Sequence, residues 1–322
     1  MRHEIAVRRT EQMTTPQSGI TVRAPLRIPL GGGGTDLPSY WKGRGGFFIS
    51  GAINRYVTVS LAPPYGETNG EVDRFIDNVL DLAGAGGRRI SWASDVPSGS
   101  GLGFSSALVV AIVYAIRLEN GQPHRRDLIA RQAYQIERAL RPVGCQDHYA
   151  AAFGGVIACE ISPAGIVNVR SLLHGSSQRW SPWFRLYHTG LRRQAAEVLK
   201  LQDAAADKGD PHVITCLREI EGIGEASLNA LRRDDRELFG ALTARHWEIK
   251  KRMSPKATNR TIDRLCSEVV NACGVKLIGA GGGGCLLCVN SAKRPALIRG
   301  LRRIPFMWGK GVHRLHKLHE PQ

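Results

Sequence analysis

VPSGSGLGFSSALVV, residues 96–110, sets glycines at 99, 101 and 103 directly ahead of an unbroken apolar run. Glycine lets backbone amides approach a ligand, and the run from Ala107 to Ile116 is long enough for a buried helix. A loop that opens a buried helix points at an anion, because the free N–H groups of the first turn and the positive end of the helix dipole converge there. Pro97, Gly99, Ser100, Gly101, Leu102 and Gly103 form the loop, and Ser105 and Ser106 offer hydroxyls to a phosphate or a metal. The dinucleotide fingerprint G-x-G-x-x-G would need glycine where Phe104 stands, and Asp95 and Pro97 interrupt the strand that should precede it. The chain contains no glycine-lysine-serine or glycine-lysine-threonine triplet, so the loop is not a Walker A loop either.

A length of 322 residues with 43% hydrophobic content is enough for two domains, and no apolar stretch reaches membrane-spanning length. The N-terminal stretch is charged without an apolar middle, which is unlike a secretory signal. Seven cysteines, an odd and scattered set, predict reduced thiols in a cytoplasmic protein. Cys285 and Cys288 form a C-x-x-C inside a strand pattern, where residues three apart face opposite ways and cannot share a metal. A net charge of +16 points to anionic partners. The basic residues are dispersed and no aromatics interleave with them, so a nucleic-acid platform is not expected and a small anionic substrate is.

Along the chain, residues 21–30 read as a strand running into four glycines, Thr35 and Asp36, and residues 46–62 as two strands or a strand pair. A strand then enters the glycine loop, and Ile129, Ala133, Ile136 and Leu140 mark a helix that stops before Pro142. GCQDHYAAAFGGV reads as a short helix closed by glycines. Helical stretches follow from 210 to 253 and from 261 to 271, then strand, glycine run and strand in VKLIGAGGGGCLLCVN. A domain boundary is expected in the Ser-rich stretch near 178, giving 20–178 and 179–320.

The spacing Pro97-x-x-x-Gly101-Leu102-Gly103-x-Ser105-Ser106-Ala107 resembles the phosphate motif of the GHMP kinases, with Phe104 where that family usually has serine. Three further blocks fall in the family's order: RAPLRIPLGGGGTDLPSY, IERALRPVGCQDHYAAAFGG and KLIGAGGGGCLL. The resemblance implies an α+β fold of two domains with the active site in the cleft between them. It implies ATP and Mg2+ as cofactors, with Ser105 and Glu137 on the metal, Asp147 as catalytic aspartate and Arg27 beside the transferred phosphate. It also assigns Gly33, Gly34, Thr35, Asp36, Gly281 and Gly282 to the sugar side. An anionic sugar tail needs cations away from the ATP site, and Arg193, Lys250 and Lys251, with Lys42 and Arg55, are available for it.

Within the family the wording is most similar to the branch that phosphorylates D-glycero-D-manno-heptose 7-phosphate, although the stretch between Tyr56 and Asp95 is shorter here. The expected reaction moves the γ-phosphate of MgATP to the anomeric hydroxyl. A kinase for an unphosphorylated sugar and a non-catalytic sugar sensor are the alternatives, and a monomer or a homodimer is equally compatible. Each residue also has a plainer role open to it. Arg141 at i+4 could hold Glu137 as a helix pair, Asp147 could cap its helix, and glycines 281–284 could form a tight turn. His148, His188 and His246 read as hydrogen-bonded structural histidines.

Overall fold

The computed structural model describes residues 19–62, 71–172, 179–191, 195–279 and 281–315. Arg193 therefore lies outside the described residues. The elements in order are β1 (Thr21–Gly31), α1 (Pro38–Trp41), β2 (Gly46–Ala62), α2 (Glu71–Leu82), β3 (Arg89–Ser94), α3 (Phe104–Glu119), α4 (Arg126–Leu140) and α5 (Gln146–Phe153). There follow β4 (Val156–Ile161), β5 (Val167–Ser171), β6 (Phe184–His188), α6 (Ala195–Asp207), α7 (Pro211–Arg232) and α8 (Arg236–Met253). The last are α9 (Arg260–Ser267), β7 (Ala272–Leu277), β8 (Cys285–Asn290), β9 (Arg302–Arg303) and β10 (His313–Arg314).

Two antiparallel sheets organise the chain. The first runs β10-β1-β2-β4-β5 with β3 beside β2, and the second runs β7-β8-β6-β9. Helix α3 is buried along its length from Ser106 to Val113, as a central helix hydrophobic all round must be, and it packs on β1 and β2 together with α5. In α4 the buried stripe of Ile129, Ala133 and Ile136 carries Glu137 at its edge, so a carboxylate is drawn under the helix layer with its apolar neighbours. Helix α7 lies against β1 and β2 and α8 against β7, which joins the two sheets through helices.

Residues 46–62, expected as two strands, form the single strand β2. One strand does two jobs: Gly46–Gly51 pairs with β4, Val57–Ala62 pairs with β3, and β1 runs along both halves with register shifts at Pro25/Arg27 and Pro29/Gly31. The helical stretch expected from 210 to 253 breaks at Asp234, whose φ is 54°, and restarts at Asp235, whose carboxylate caps α8 by accepting from Leu238 N.

The change of sheet falls between β5 and β6, with residues 173–178 outside the description. The expected 179–320 unit is not self-contained in strand pairing. β10 returns to pair with β1, Trp308 bridges to Ile53, and Lys310 bridges to Gly154. A Cβ on Gly51 would lie 2.4 Å from the Trp308 ring, so the indole uses the space that glycine leaves. Two-residue strands have no period to read, which is why this return is silent in the sequence.

Candidate active site

The cleft is a cavity of about 570 Å³ lined by the glycine loop, the turn after β1, the start of α5 and the facing parts of α8 and β7. Gly99, Gly101 and Gly103 have φ of 78°, 85° and 79°, a region that L-side chains avoid. Gly103 is also the N-cap of α3, and a Cβ there would sit 3.1 Å from Asp147 Oδ2 and 3.3 Å from Arg27 Cγ. No side chain caps this helix, so its first-turn amides are left to an incoming anion.

Arg27, on β1, and Asp147, in the first turn of α5, meet under that loop. Arg27 Nε donates to Asp147 Oδ1 at 2.5 Å and Nη2 to Oδ2 at 2.6 Å, while Nη1 donates to Gly101 O at 2.6 Å. The backbone closes the same junction, Arg27 N donating to Leu102 O at 2.9 Å. A bidentate fork fixes both ions in one plane, and Asp147 keeps a second lone pair on each oxygen for another donor. Only 6% of Arg27 is exposed, so its charge acts in a water-poor site.

Glu137 is wholly buried and ties three helices together. Its Oε2 accepts from Ser106 Oγ of α3 at 2.7 Å and stands 2.7 Å from His148 Nε2 of α5. Its Oε1 accepts from Arg141, the residue that follows α4, at 2.5 Å. Burial pushes the Glu137 carboxyl up, but His148, Arg141 and the Ser106 hydroxyl outweigh it and hold the pKa at about 2. Arg141 also lies 4.4 Å from the centre of the Phe75 ring, which brings the otherwise unread α2 to the cleft wall.

On the sugar side, Asp36 Oδ1 accepts from Gly34 N at 3.0 Å and Oδ2 from Gln146 N at 2.8 Å. Burial raises its carboxyl above the usual range, and the nearby Asp147 charge adds to the shift, against the pull of those two amides. A Cβ on Gly144 would stand 2.0 Å from Asp36 Oδ2, so glycine is required for the carboxylate to enter.

Arg27, Gly33, Gly34, Asp36, Gly99, Gly101, Gly103, Ser105, Ser106, Glu137 and Asp147 all line the cleft. Others do not. Thr35 is fully buried and its hydroxyl donates to Gly32 O and Phe47 O, so it pins the glycine turn to β2 instead of facing a sugar. Gly281 and Gly282 pack against Ala257: a Cβ on Gly281 would lie 2.5 Å from Ala257 Cα, and Gly282 N donates to Ala257 O. Ser100 and Leu102 are fully buried behind the loop, and Pro97 is exposed outside the cleft lining. The hydroxyl joined to Glu137 is that of Ser106, not of Ser105.

On the facing wall stand Lys250, expected as a cation for an acceptor phosphate, Lys276, to which the sequence reading gave no role, and His246, expected as a structural residue. His246 is not the hydrogen-bonded structural histidine expected, since neither ring nitrogen has a partner among the described residues. The signals were available: a lysine in the middle of an apolar strand, and a histidine four residues before a lysine on one helix face.

A magnesium ion bound with substrate phosphates needs one or two carboxylates and hydroxyls. Glu137, ionised at neutral pH, with the serines at the uncapped end of α3, fits that demand. Among the described residues no group of three His, Cys, Asp or Glu could hold a metal unaided.

Residues 71–155 match the family described as GHMP kinases N terminal domain, and residues 227–303 the one described as GHMP kinases C terminal. A D-glycero-alpha-D-manno-heptose 7-phosphate kinase of Campylobacter jejuni is 29% identical over 318 residues, spanning 88% of this chain and 93% of that protein. A bifunctional fucokinase/GDP-fucose pyrophosphorylase of Arabidopsis thaliana is 24% identical over 310 residues, covering 82% of this chain and 29% of that protein. Among solved structures, a D-glycero-D-manno-heptose 1-phosphate kinase of Bacteroides thetaiotaomicron superposes with a TM-score of 0.69 at 23% identity, over 93% of this chain and 99% of that one, which shows a shared fold. The two family matches supply opposite walls of the one cleft described above, and the chain belongs to the GHMP kinases.

Proposed function

We propose that the chain transfers the γ-phosphate of MgATP to the anomeric hydroxyl of a heptose already phosphorylated at carbon 7, giving a heptose 1,7-bisphosphate. The observation that carries a transfer reaction is the Arg27–Asp147 fork held against the glycine loop. Phosphoryl transfer asks a protein to neutralise charge, align the partners and accept one proton. The amides at the start of α3 bind the donor's phosphates. Arg27 faces the oxygens of the phosphoryl group in transit, and the metal supplies further charge neutralisation when bound.

Asp147 takes the proton from the acceptor hydroxyl as its oxygen bonds to phosphorus and the bond to ADP breaks. Asp36, fixed by two amides, accepts from a sugar hydroxyl and so orients the ring. The heptose assignment is supported by the Campylobacter relative, named for that substrate, aligned over most of both chains. The residue ranges 20–178 and 179–320 are proposed as an N-terminal phosphate- and ATP-binding domain and a C-terminal GHMP kinase domain.

The test is product chemistry. With MgATP and heptose 7-phosphate the product is expected to be non-reducing and to release one phosphate in mild acid while the terminal ester survives. A product that stays reducing excludes the anomeric hydroxyl.

A further inference from the structure

The charges around the cleft are balanced unevenly. Arg27 pairs with Asp147 and Arg141 with Glu137, while Asp36 is held by backbone amides. Lys276 has no such partner. It is 3% exposed on β7, and its ammonium makes one long hydrogen bond, 3.4 Å to Leu30 O at the end of β1. No carboxylate among the described residues stands within ion-pair distance of it. Beside it on α8 lie His246, 4% exposed with both ring nitrogens unpartnered, and Lys250, one turn further on, donating to Gly279 O. Burying an ammonium with one weak acceptor is costly, and an imidazole with two idle nitrogens adds to the cost. Both side chains face the same cavity.

We infer that Lys276, Lys250 and His246 form the seat for the phosphate that the acceptor already carries, a phosphomonoester dianion entering from the sugar side of the cleft. The inference rests on the kinase reading above. A phosphate dianion brings the acceptor oxygens that Lys276 and His246 lack, with the Lys250 ammonium beside them as a further cation. The nucleotide phosphates have their own seat in the glycine loop, whereas Lys276 reaches Leu30, three residues before Gly33 and six before Asp36. The site is also poised electrically. Burial, then the charges of Lys250 and Arg27, lower the Lys276 pKa to about 7. Burial, then Lys276 and Lys250, push His246 well below its ordinary value. The remaining titratable groups on the cavity are Asp36, Glu137, Arg141 and Asp147, and two of these carboxylates are already paired with arginines. An arriving dianion raises the affinity of Lys276 for its proton, so binding above pH 7 takes up a proton from solvent.

Two measurements test this. The first is calorimetric titration of the wild-type protein with heptose 7-phosphate and with free heptose at pH 8, in two buffers of different ionisation enthalpy. Uptake approaching one proton per site is expected with the phosphate only. Equal proton traffic with both sugars, or none with either, overturns the inference without any variant. The second compares Lys276→Met with wild type for catalytic efficiency on both acceptors and for ADP affinity. Efficiency on the 7-phosphate is expected to fall about 10- to 100-fold further than on the free sugar, with ADP affinity within about threefold. Equal losses on both acceptors, or a matching loss of ADP affinity, would assign the cluster to the transferred or nucleotide phosphate. Failure of the kinase reading looks different: wild type would yield no bisphosphate, and calorimetry with heptose 7-phosphate and inorganic phosphate would still decide whether the cluster binds the dianion.

Discussion

The two walls of the cleft solve the same electrostatic problem in opposite ways. Beside α3, α4 and α5 the two buried ion pairs are complete in the folded chain: Arg27 has Asp147, and Glu137 has Arg141, the Ser106 hydroxyl and His148. On the α8–β7 wall Lys276 and His246 are buried with almost nothing to bond. The first wall is assembled before any ligand arrives and lends its order to the chemistry. The second is completed by what enters. Preorganised dipoles suit a transition state, whereas a wall that lacks its counter-charge suits the selection of a charged substrate.

The sharpest blow to the assembled wall is Asp147→Asn. The amide keeps one acceptor for Arg27 but cannot take a proton, and kcat is expected to fall about 10²- to 10⁴-fold with nucleotide affinity near wild type. Turnover within threefold of wild type would remove the proton-accepting role. Glu137→Gln breaks a buried charge set, and chemical denaturation is expected to show a loss of about 3–5 kcal/mol. Its pH signature follows from the sign of the shift. The folded carboxyl titrates at about 2 and the ordinary value is 4.5, so its contribution is complete above 4.5 and is lost as pH falls towards 2. The variant's stability curve should be shallower across that window, and an unchanged slope would mean that Glu137 is not the ionised centre of the network.

A smaller effect separates the two serines. Ser106→Ala leaves a buried Glu137 oxygen short of a donor and should cost about 1–3 kcal/mol in stability, whereas Ser105→Ala should leave stability within about 0.5 kcal/mol and weaken magnesium dependence of the rate instead. Equal stability losses would put both hydroxyls in one network. The smallest effect is expected on the open wall. The folded pKa of Lys276 lies below the ordinary 10.5, so the cost of burying its charge is full below about pH 7 and fades as pH rises towards 10.5. Lys276→Met should therefore raise the melting temperature by a few degrees at pH 6.5, with the gain shrinking by pH 10. A gain independent of pH would point to packing and not to charge.

The assembled wall was largely legible in the sequence, because its parts sit in short blocks with local signals. Glycines at 99, 101 and 103 before an apolar run gave the loop and α3, and Glu137 and Asp147 lie on helices whose stripes and stops could be read. The open wall was not. Lys276 and His246 are ordinary residues in an ordinary strand and helix, and only tertiary packing turns their burial into an unmet demand. Helix α2 escaped despite Phe75, Ile76, Val79 and Leu80 at helical spacing, because the turn-rich stretch before it reads as loop. The roles of Ser105 and Ser106 were separable only once the facing carboxylate was in place, since one residue of register decides which hydroxyl reaches it.

The return of β10 to β1 has a consequence for synthesis. Val22 pairs with Arg314 and Arg23 with His313, so this edge of the first sheet stays open until residues far later in the chain than β1 have been made. During that time β1 is a bare strand edge, and Gly51 lacks the indole that later covers it. The edge is therefore uncovered while the second sheet is being made, and the stretch from Trp308 to Arg314 acts as a clasp that reaches the first sheet only after β6, β7 and β8 exist.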